Sequence, residues 1–497
     1  MRAFLVAAIL TMVVFGRGFA AQDTNVVLLP VADDPTVSFR ILFNVGSQDD
    51  PLGKEGLAAL TARLITEGST QKHSYEEVLD LLYPMAASIR DQVDKEMTVF
   101  IGRTHKDNLD EYYRLYKEVL LEPAFTEADF ERVKSDFLNY IKTTLRYSQD
   151  EMLGKEALYE YIFAGTPYGH NEEGAVTSLE SITLDDVKEF YRTNYTQANL
   201  VIGLGGGIDD AFVATVEGDL KALPEGRPAD VPAPKPAKLE GLNVEIVEKD
   251  AQATAISFGF PIDVHRGERD FYALAIATSW LGEHRNSFSD LYAVIREARG
   301  LNYGDYAYIE HFPGGHYRQF PPANVARRQQ IFQVWIRPVP NETRVFAFRA
   351  ALRELRNLIE GGMSEQEFEL TRKFLKGYIL HYAPTTMMKL GYAMDDRFYG
   401  ITNGHWKTYA AMLDELTRDD VNSALRRHLT FENIKAVFVT PDAAGLRDAL
   451  VANAPSPITY ESEKPAEVLE EDKKIEVYPL AVKPEDVKIV KVEAMFE

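Results

Sequence analysis

Cysteine is absent from the 497 residues. That excludes disulfides, thiolate metal sites, a cysteine nucleophile and a lipid-modified N-terminal cysteine. Basic charge is scarce too: 54 Lys and Arg stand against 76 Asp and Glu, a formal net charge of −22. Nucleic acid and anionic membrane surfaces are poor partners for such a chain unless it carries a local basic patch. The one short candidate, ARRQQ at 326–330, reads as a solvated loop. Long apolar runs are missing beyond the first residues. MRAFLVAAILTMVVFGRGFAAQ has a basic start at Arg2, an apolar stretch ending before Arg17, and small residues Gly18 and Ala20 at −3 and −1 of a cleavage site. This is the pattern of a secretory signal peptide over residues 1–20, and it falls short of the roughly 20 apolar residues of a membrane span. The mature chain is expected to be exported, to the periplasm or outside the cell, with no membrane span.

What remains is an ordinary globular composition, 45% hydrophobic and 26% charged, long enough for several cores. It is also written twice. ITLDDVKEFYRTNYTQANLVIGLGG, from Ile182, is echoed 234 residues later and without a gap by LTRDDVNSALRRHLTFENIKAVFVT, from Leu416. Asp186 answers Asp420, Val187 answers Val421, and Asn199 answers Asn433. A second echo pairs EPAFTEADFERVKSDFLNYI with EGGMSEQEFELTRKFLKGYI, Phe130 matching Phe368. In both copies Thr or Ser opens a helix as N-cap, with acidic residues in its first turns. The period is far too long for a solenoid.

Between the copies, LPEGRPADVPAPKPAKLEG at 223–241 reads as an extended, semi-rigid linker. The expected organisation is a signal peptide (1–20), an N-terminal domain (21–222), the linker (223–241) and a C-terminal domain (242–497). Each copy opens on an alternating strand, VSFRILFNV at 37–45 and ATAISFGFP at 253–261. Strands mixed with helices, without regular βαβ alternation, predict an α+β fold of two homologous domains, each a mainly antiparallel sheet packed with helices. The tail from Lys473 onward alternates but contains proline, and reads as an extended strap across a domain.

GLAALTARLITEGST at 56–70 predicts a helix with Leu57, Leu60, Leu64 and Ile65 on its buried stripe. Beside that stripe Ala59, Ala62 and Arg63 share a patch at i, i+3 and i+4. With its flanks GSQDDPLGKE, and with FAGTPYGHNEEGAVTSLESITLDDVKEFYRTNY (163–195) and IREARGLNYGDYAY (295–308), this stretch resembles the pitrilysin/insulinase family of metallopeptidases. The likeness runs through nearly all of the mature chain, in order and in duplicate. It implies two homologous domains facing each other across a peptide-holding chamber, which smaller bacterial members complete with a second chain.

In that family the first helix carries an inverted zinc motif, His-x-x-Glu-His. Two His hold zinc on one helix face, and the Glu activates the bound water. A third ligand, a Glu, comes from a later helix. In this sequence the motif positions fall on Ala59, Ala62 and Arg63, and the third-ligand helix aligns near Asn139 and Tyr140, with Asp136 close by. Alanine cannot ligate, and Arg63 puts a fixed positive charge at the metal position. The motif occurs nowhere else, because Glu283–His284 and Glu310–His311 have Trp280 and Ala307 where the first His belongs. The family's Arg and Tyr, seven residues apart in the C-terminal half, do match: Arg296 and Tyr303 in REARGLNY. The resemblance gives them the role of gripping the substrate backbone and stabilising its oxyanion.

Other constellations carry less. GLGGGIDD at 203–210 lacks the Lys-Ser/Thr of a phosphate loop and reads as a strand end. His311 and His316 lie in a Pro/Gly stretch that reads as a surface loop, with Phe312, Tyr317 and Phe320 as candidate peptide or partner contacts. His170 matches a family turn and reads as structural. No local signature of a serine triad is present. The resulting expectation is a non-zinc subunit of an exported heterodimeric metallopeptidase. A homologous partner would supply zinc, and this chain, without cofactor, would help hold peptide substrates through Arg296 and Tyr303. The alternative is a non-catalytic structural or peptide-binding scaffold.

Overall fold

The computed structural model describes residues 25–283, 287–312 and 320–497. The expected signal peptide at 1–20, His284, His316 and Tyr317 lie outside the described residues. The strands are β1 (Val26–Pro30), β2 (Thr36–Phe43), β3 (Ser88–Val93), β4 (Thr98–His105), β5 (Leu200–Gly206), β6 (Leu242–Glu248), β7 (Ala253–Ile262), β8 (Asp305–Tyr308), β9 (Gln330–Pro340), β10 (Ile434–Thr440) and β11 (Val487–Lys491). They form two sheets, β1-β5-β2-β4-β3 and β11-β6-β10-β7-β9-β8. Apart from β11, the second repeats the order of the first strand for strand. The sheets are mixed: their inner pairings are antiparallel, whereas β1 runs parallel to β5, and β6 parallel to both β10 and β11.

The repeat extends to capping. Thr183 accepts from Asp186 N at 3.2 Å while the Asp186 carboxylate accepts from Thr183 N at 2.8 Å. Thr417 and Asp420 repeat both bonds at 3.2 and 2.8 Å. Each box satisfies donors that a helix start leaves bare.

Strand β2 is buried on both faces from Val37 to Phe43. Val37, Phe39, Ile41 and Phe43 face the helices of their own half. The opposite face is covered by the helix Thr386–Phe398, which comes from the other half and lies on β1, β2 and β5. The exchange is reciprocal, because the helix Asp150–Phe163 of the first half lies on β7 and β10. Leu153 and Ala157 thus share one apolar core with Val437 and Val439. Each such fully buried Leu or Val contributes roughly 1.5–3 kcal/mol. The glycines of GLGG follow from this contact. A Cβ on Gly203 would stand 2.5 Å from Met394 Sδ of the exchanged helix, so the run is a packing surface within β5.

Two sequence expectations are corrected. ARRQQ is no solvated loop. Arg327 is fully buried and makes a bidentate pair with Asp94 at 2.6 and 2.9 Å, with Glu172 at 2.9 Å from the same guanidinium. Arg328 pairs with Glu96. These carboxylates belong to the first half, so the segment carries charge in order to join the halves. His311 is not on a surface loop either. It stands edge-on to Tyr159, 5.3 Å between centroids, and burial followed by the Arg327 charge pushes its imidazole well below the ordinary range. Phe312 stacks on Tyr308 at 4.6 Å, with Trp335 beside both rings.

The tail is a strap. After β11 it crosses to the first half, where Val492, Met495 and Phe496 are buried. The Phe496 carbonyl accepts from Val176 N at 2.9 Å, and the Met495 carbonyl from Arg146 Nε at 2.8 Å. Among the described residues no helix is long and apolar enough to cross a membrane.

Candidate functional site

The helix Leu57–Thr66 forms as the sequence predicts. It lacks a polar N-cap side chain of its own, since its cap is Gly56 at φ 95°. Asp50 serves instead, accepting from Gly56 N and Ala58 N at 2.7 Å each. His170 Nε2 lies 3.3 Å from the same carboxylate, which fits its structural reading. Ala59 and Ala62 are buried among the apolar side chains of this half.

Arg63 projects from the patch and is held by carboxylates. Its Nε donates to Asp91 Oδ1 of β3 at 2.9 Å and stands 3.6 Å from Glu67. Thr66 Oγ1 donates to the same Asp91 oxygen at 2.7 Å. Where the family resemblance aligns a zinc ligand, the chain thus has a guanidinium with its own anionic partners. Just after the helix that ends at Asn139, burial and then the charges of Glu173, Glu156 and Glu172 push the Tyr140 phenol up. Burial and then Glu172 raise the Glu173 carboxyl to about 7. Burial and Glu172 likewise raise Glu156. Sequence reasoning passed over Glu156, Glu172 and Glu173, although the adjacent acids of HNEEG were visible. Among the described residues no three His, Cys, Asp or Glu side chains form a group that could hold a metal ion.

In the second half Arg296 and Tyr303 do come together. Arg296 Nη1 donates to the Tyr303 carbonyl at 2.8 Å. The guanidinium lies 4.9 Å from the Tyr292 ring and 5.2 Å from the Tyr303 ring, within cation–π range of both. Tyr303 is 75% exposed. Such a pair offers an outward phenol donor beside a planar cation, a combination suited to a peptide carbonyl or an oxyanion. No hydrogen bond, ion pair or ring contact among the described residues joins this pair to Ala59, Ala62 or Arg63. A cleft of about 1090 Å³ opens between the halves, floored by Leu42, Met97, Val201 and Met394. None of the five sequence-derived site residues lines it.

The chain resembles known proteins in sequence and in fold. Residues 26–172 match the model "Insulinase (Peptidase family M16)", and residues 181–375 match "Peptidase M16 inactive domain". The "Non-peptidase homolog YmxG" of Helicobacter pylori is 23% identical over 84% of this chain and 93% of its own length. The "Zinc protease PqqE" of the same organism is 22% identical over 51% of this chain and 57% of its own. The solved structure of a peptidase M16 inactive domain from Pseudomonas fluorescens superposes with a TM-score of 0.73 at 21% identity, covering 84% of this chain and 95% of that one. With two family models spanning more than two thirds of its length, a duplicated fold shared with that structure, and alanines and an arginine at the zinc-motif positions, the chain belongs to the M16 (insulinase) family as a homologue without the zinc motif.

Proposed function

We propose that this chain is the non-zinc subunit of an exported heterodimeric metallopeptidase. The observation that carries the reading is an asymmetry between two sites. The metal position is filled by Arg63 with its own carboxylate partners, whereas Arg296 and Tyr303 remain paired and outward-facing. The partner would contribute zinc, the activated water and the general base. This chain would contribute the phenol and guanidinium across the shared chamber, where one aimed donor is worth roughly 3–4 kcal/mol to a tetrahedral intermediate. The occurrence of both a non-peptidase homologue and a zinc protease in one organism, each similar to this chain, supports such a division of labour. Strands β3 and β8 end their sheets, which suits capture of an extended peptide by strand addition.

The test is purification of the chain from its native host, with sequencing of its mature N-terminus, metal analysis and a peptide digest. The expected result is a start after Ala20 and a zinc-bearing relative in the same complex, with chelator-sensitive peptide cleavage. A chain that emerges without such a relative, and without cleavage, is a structural or peptide-binding scaffold instead.

A further inference from the structure

The turn carrying Tyr303 is fixed by one side chain. Asn302 uses both ends of its carboxamide: Oδ1 accepts from Gly304 N at 3.1 Å, while Nδ2 donates to Asp305 Oδ1 at 2.7 Å and to the Arg337 carbonyl at 3.0 Å. Gly304 has φ 152°, and a Cβ there would stand 2.7 Å from the Tyr306 hydroxyl. The turn therefore has one imposed shape and little freedom to settle elsewhere.

The attachment continues into the fold. Arg337 Nε donates to Glu151 Oε2 at 3.1 Å, on the helix Asp150–Phe163 that the first half lends to the second. Lys155, one turn along that helix, donates to the other oxygen of Glu151 at 2.7 Å and places its Nζ 3.6 Å from the Trp335 ring centroid on β9. Asn302 thus anchors the turn to a strand that is itself braced by the exchanged helix.

The Tyr303 ring, by contrast, lies in solvent against the Arg296 guanidinium. Its direction is set by the backbone of the turn and by that stack. A donor displaced by about 1 Å from its target loses much of its effect on a reacting group. We propose that Asn302 is the positioning residue of the Arg296–Tyr303 pair, locking the turn so that phenol and guanidinium meet a bound peptide together. This rests on the function proposed above, because it is that pair which Asn302 serves.

The experiment compares Asn302→Ala, Tyr303→Phe and the double variant in the complex isolated from the host, with a fluorogenic peptide that the complex cleaves. Asn302→Ala is expected to lower kcat about tenfold with KM little changed, and to cause clearly less than a tenfold further loss once Tyr303 is Phe, when only the guanidinium is left to misplace. Asn302→Asp keeps the size, loses both donated bonds and serves as the second variant should the alanine chain not fold. A partner-independent readout is the 19F linewidth of 3-fluorotyrosine at position 303 in the full chain, expected to narrow in either Asn302 variant. If Tyr303→Phe is slow but Asn302→Ala keeps wild-type kcat, or if the two losses multiply, the positioning role is overturned while the proposed function stands. If Tyr303→Phe is itself without effect, both are overturned.

Discussion

Asp94 and Arg327, 233 positions apart in the chain, face each other through two parallel N–H···O bonds at 2.6 and 2.9 Å, with almost no solvent on either side chain. Removing the cation would strand Asp94, and Glu172 in part, inside the protein. Arg327→Met is expected to cost roughly 3–5 kcal/mol, the range for a broken buried pair. Arg328→Ala, whose side chain is 34% exposed, should cost clearly less. Urea unfolding midpoints of the two variants check the difference.

The close approach of β5 to the exchanged helix makes Gly203 a second test. Gly203→Val drives side-chain atoms into Met394 and the Arg40 backbone, and should destabilise by about 1–3 kcal/mol as an overpacked core. Gly218, on the helix Asp210–Leu220, has nothing within 4 Å of where its Cβ would be. Gly218→Ala should stabilise by about 0.5–1 kcal/mol. Opposite shifts in melting temperature are the expected outcome.

The buried acids Glu156 and Glu173 predict a pH dependence. Burial raises Glu156 and Glu173, the latter to about 7. Their folded values therefore exceed the ordinary carboxylate values of the unfolded chain, so the native state binds protons more tightly than the unfolded state. Their contribution is complete below the unfolded values and is lost as pH rises through the folded ones. Stability should fall from about pH 4.5 to about pH 8, and Glu156→Gln or Glu173→Gln should flatten that decline. Melting temperatures across the interval, for wild type and both variants, measure it.

Metal removal separates this chain from its proposed partner. Alone, its melting temperature should be the same with added zinc or with EDTA, since a ligand that binds the native state shifts stability by mass action. In the complex, EDTA should abolish peptide cleavage. Arg296→Ala should lower turnover by about 10²-fold with assembly intact.

Much of the architecture was legible because duplication is visible as text. The gap-free echo of Asp186 in Asp420 and Asn199 in Asn433 became two sheets with the same strand order. The helix of Ala59, Ala62 and Arg63 followed from local pattern, whereas the pairing of Arg296 with Tyr303 came from the family resemblance, spacing alone pointing to a solvated Arg and a half-buried Tyr. What was not legible depends on long-range partners. Arg327 looks like any solvated arginine until Asp94 and Glu172, 233 and 155 positions away, are seen around it. The parallel outer strands were hidden too, because alternation reports which faces are buried and not strand direction. The strand end at Gly203 was legible, but the reason for its glycine was not, because the helix that presses on it lies in the other half of the chain.

The reciprocal loan of helices bears on ancestry and on dissection. A solitary copy of the repeat would leave one face of its sheet naked, since the cover comes from its twin. The single unit that preceded the duplication would have been stable as two identical molecules clasping one another, each lending a helix. For the same reason a protease that nicks between residues 223 and 241 should release nothing: the severed pieces stay locked, and neither piece expressed by itself should fold.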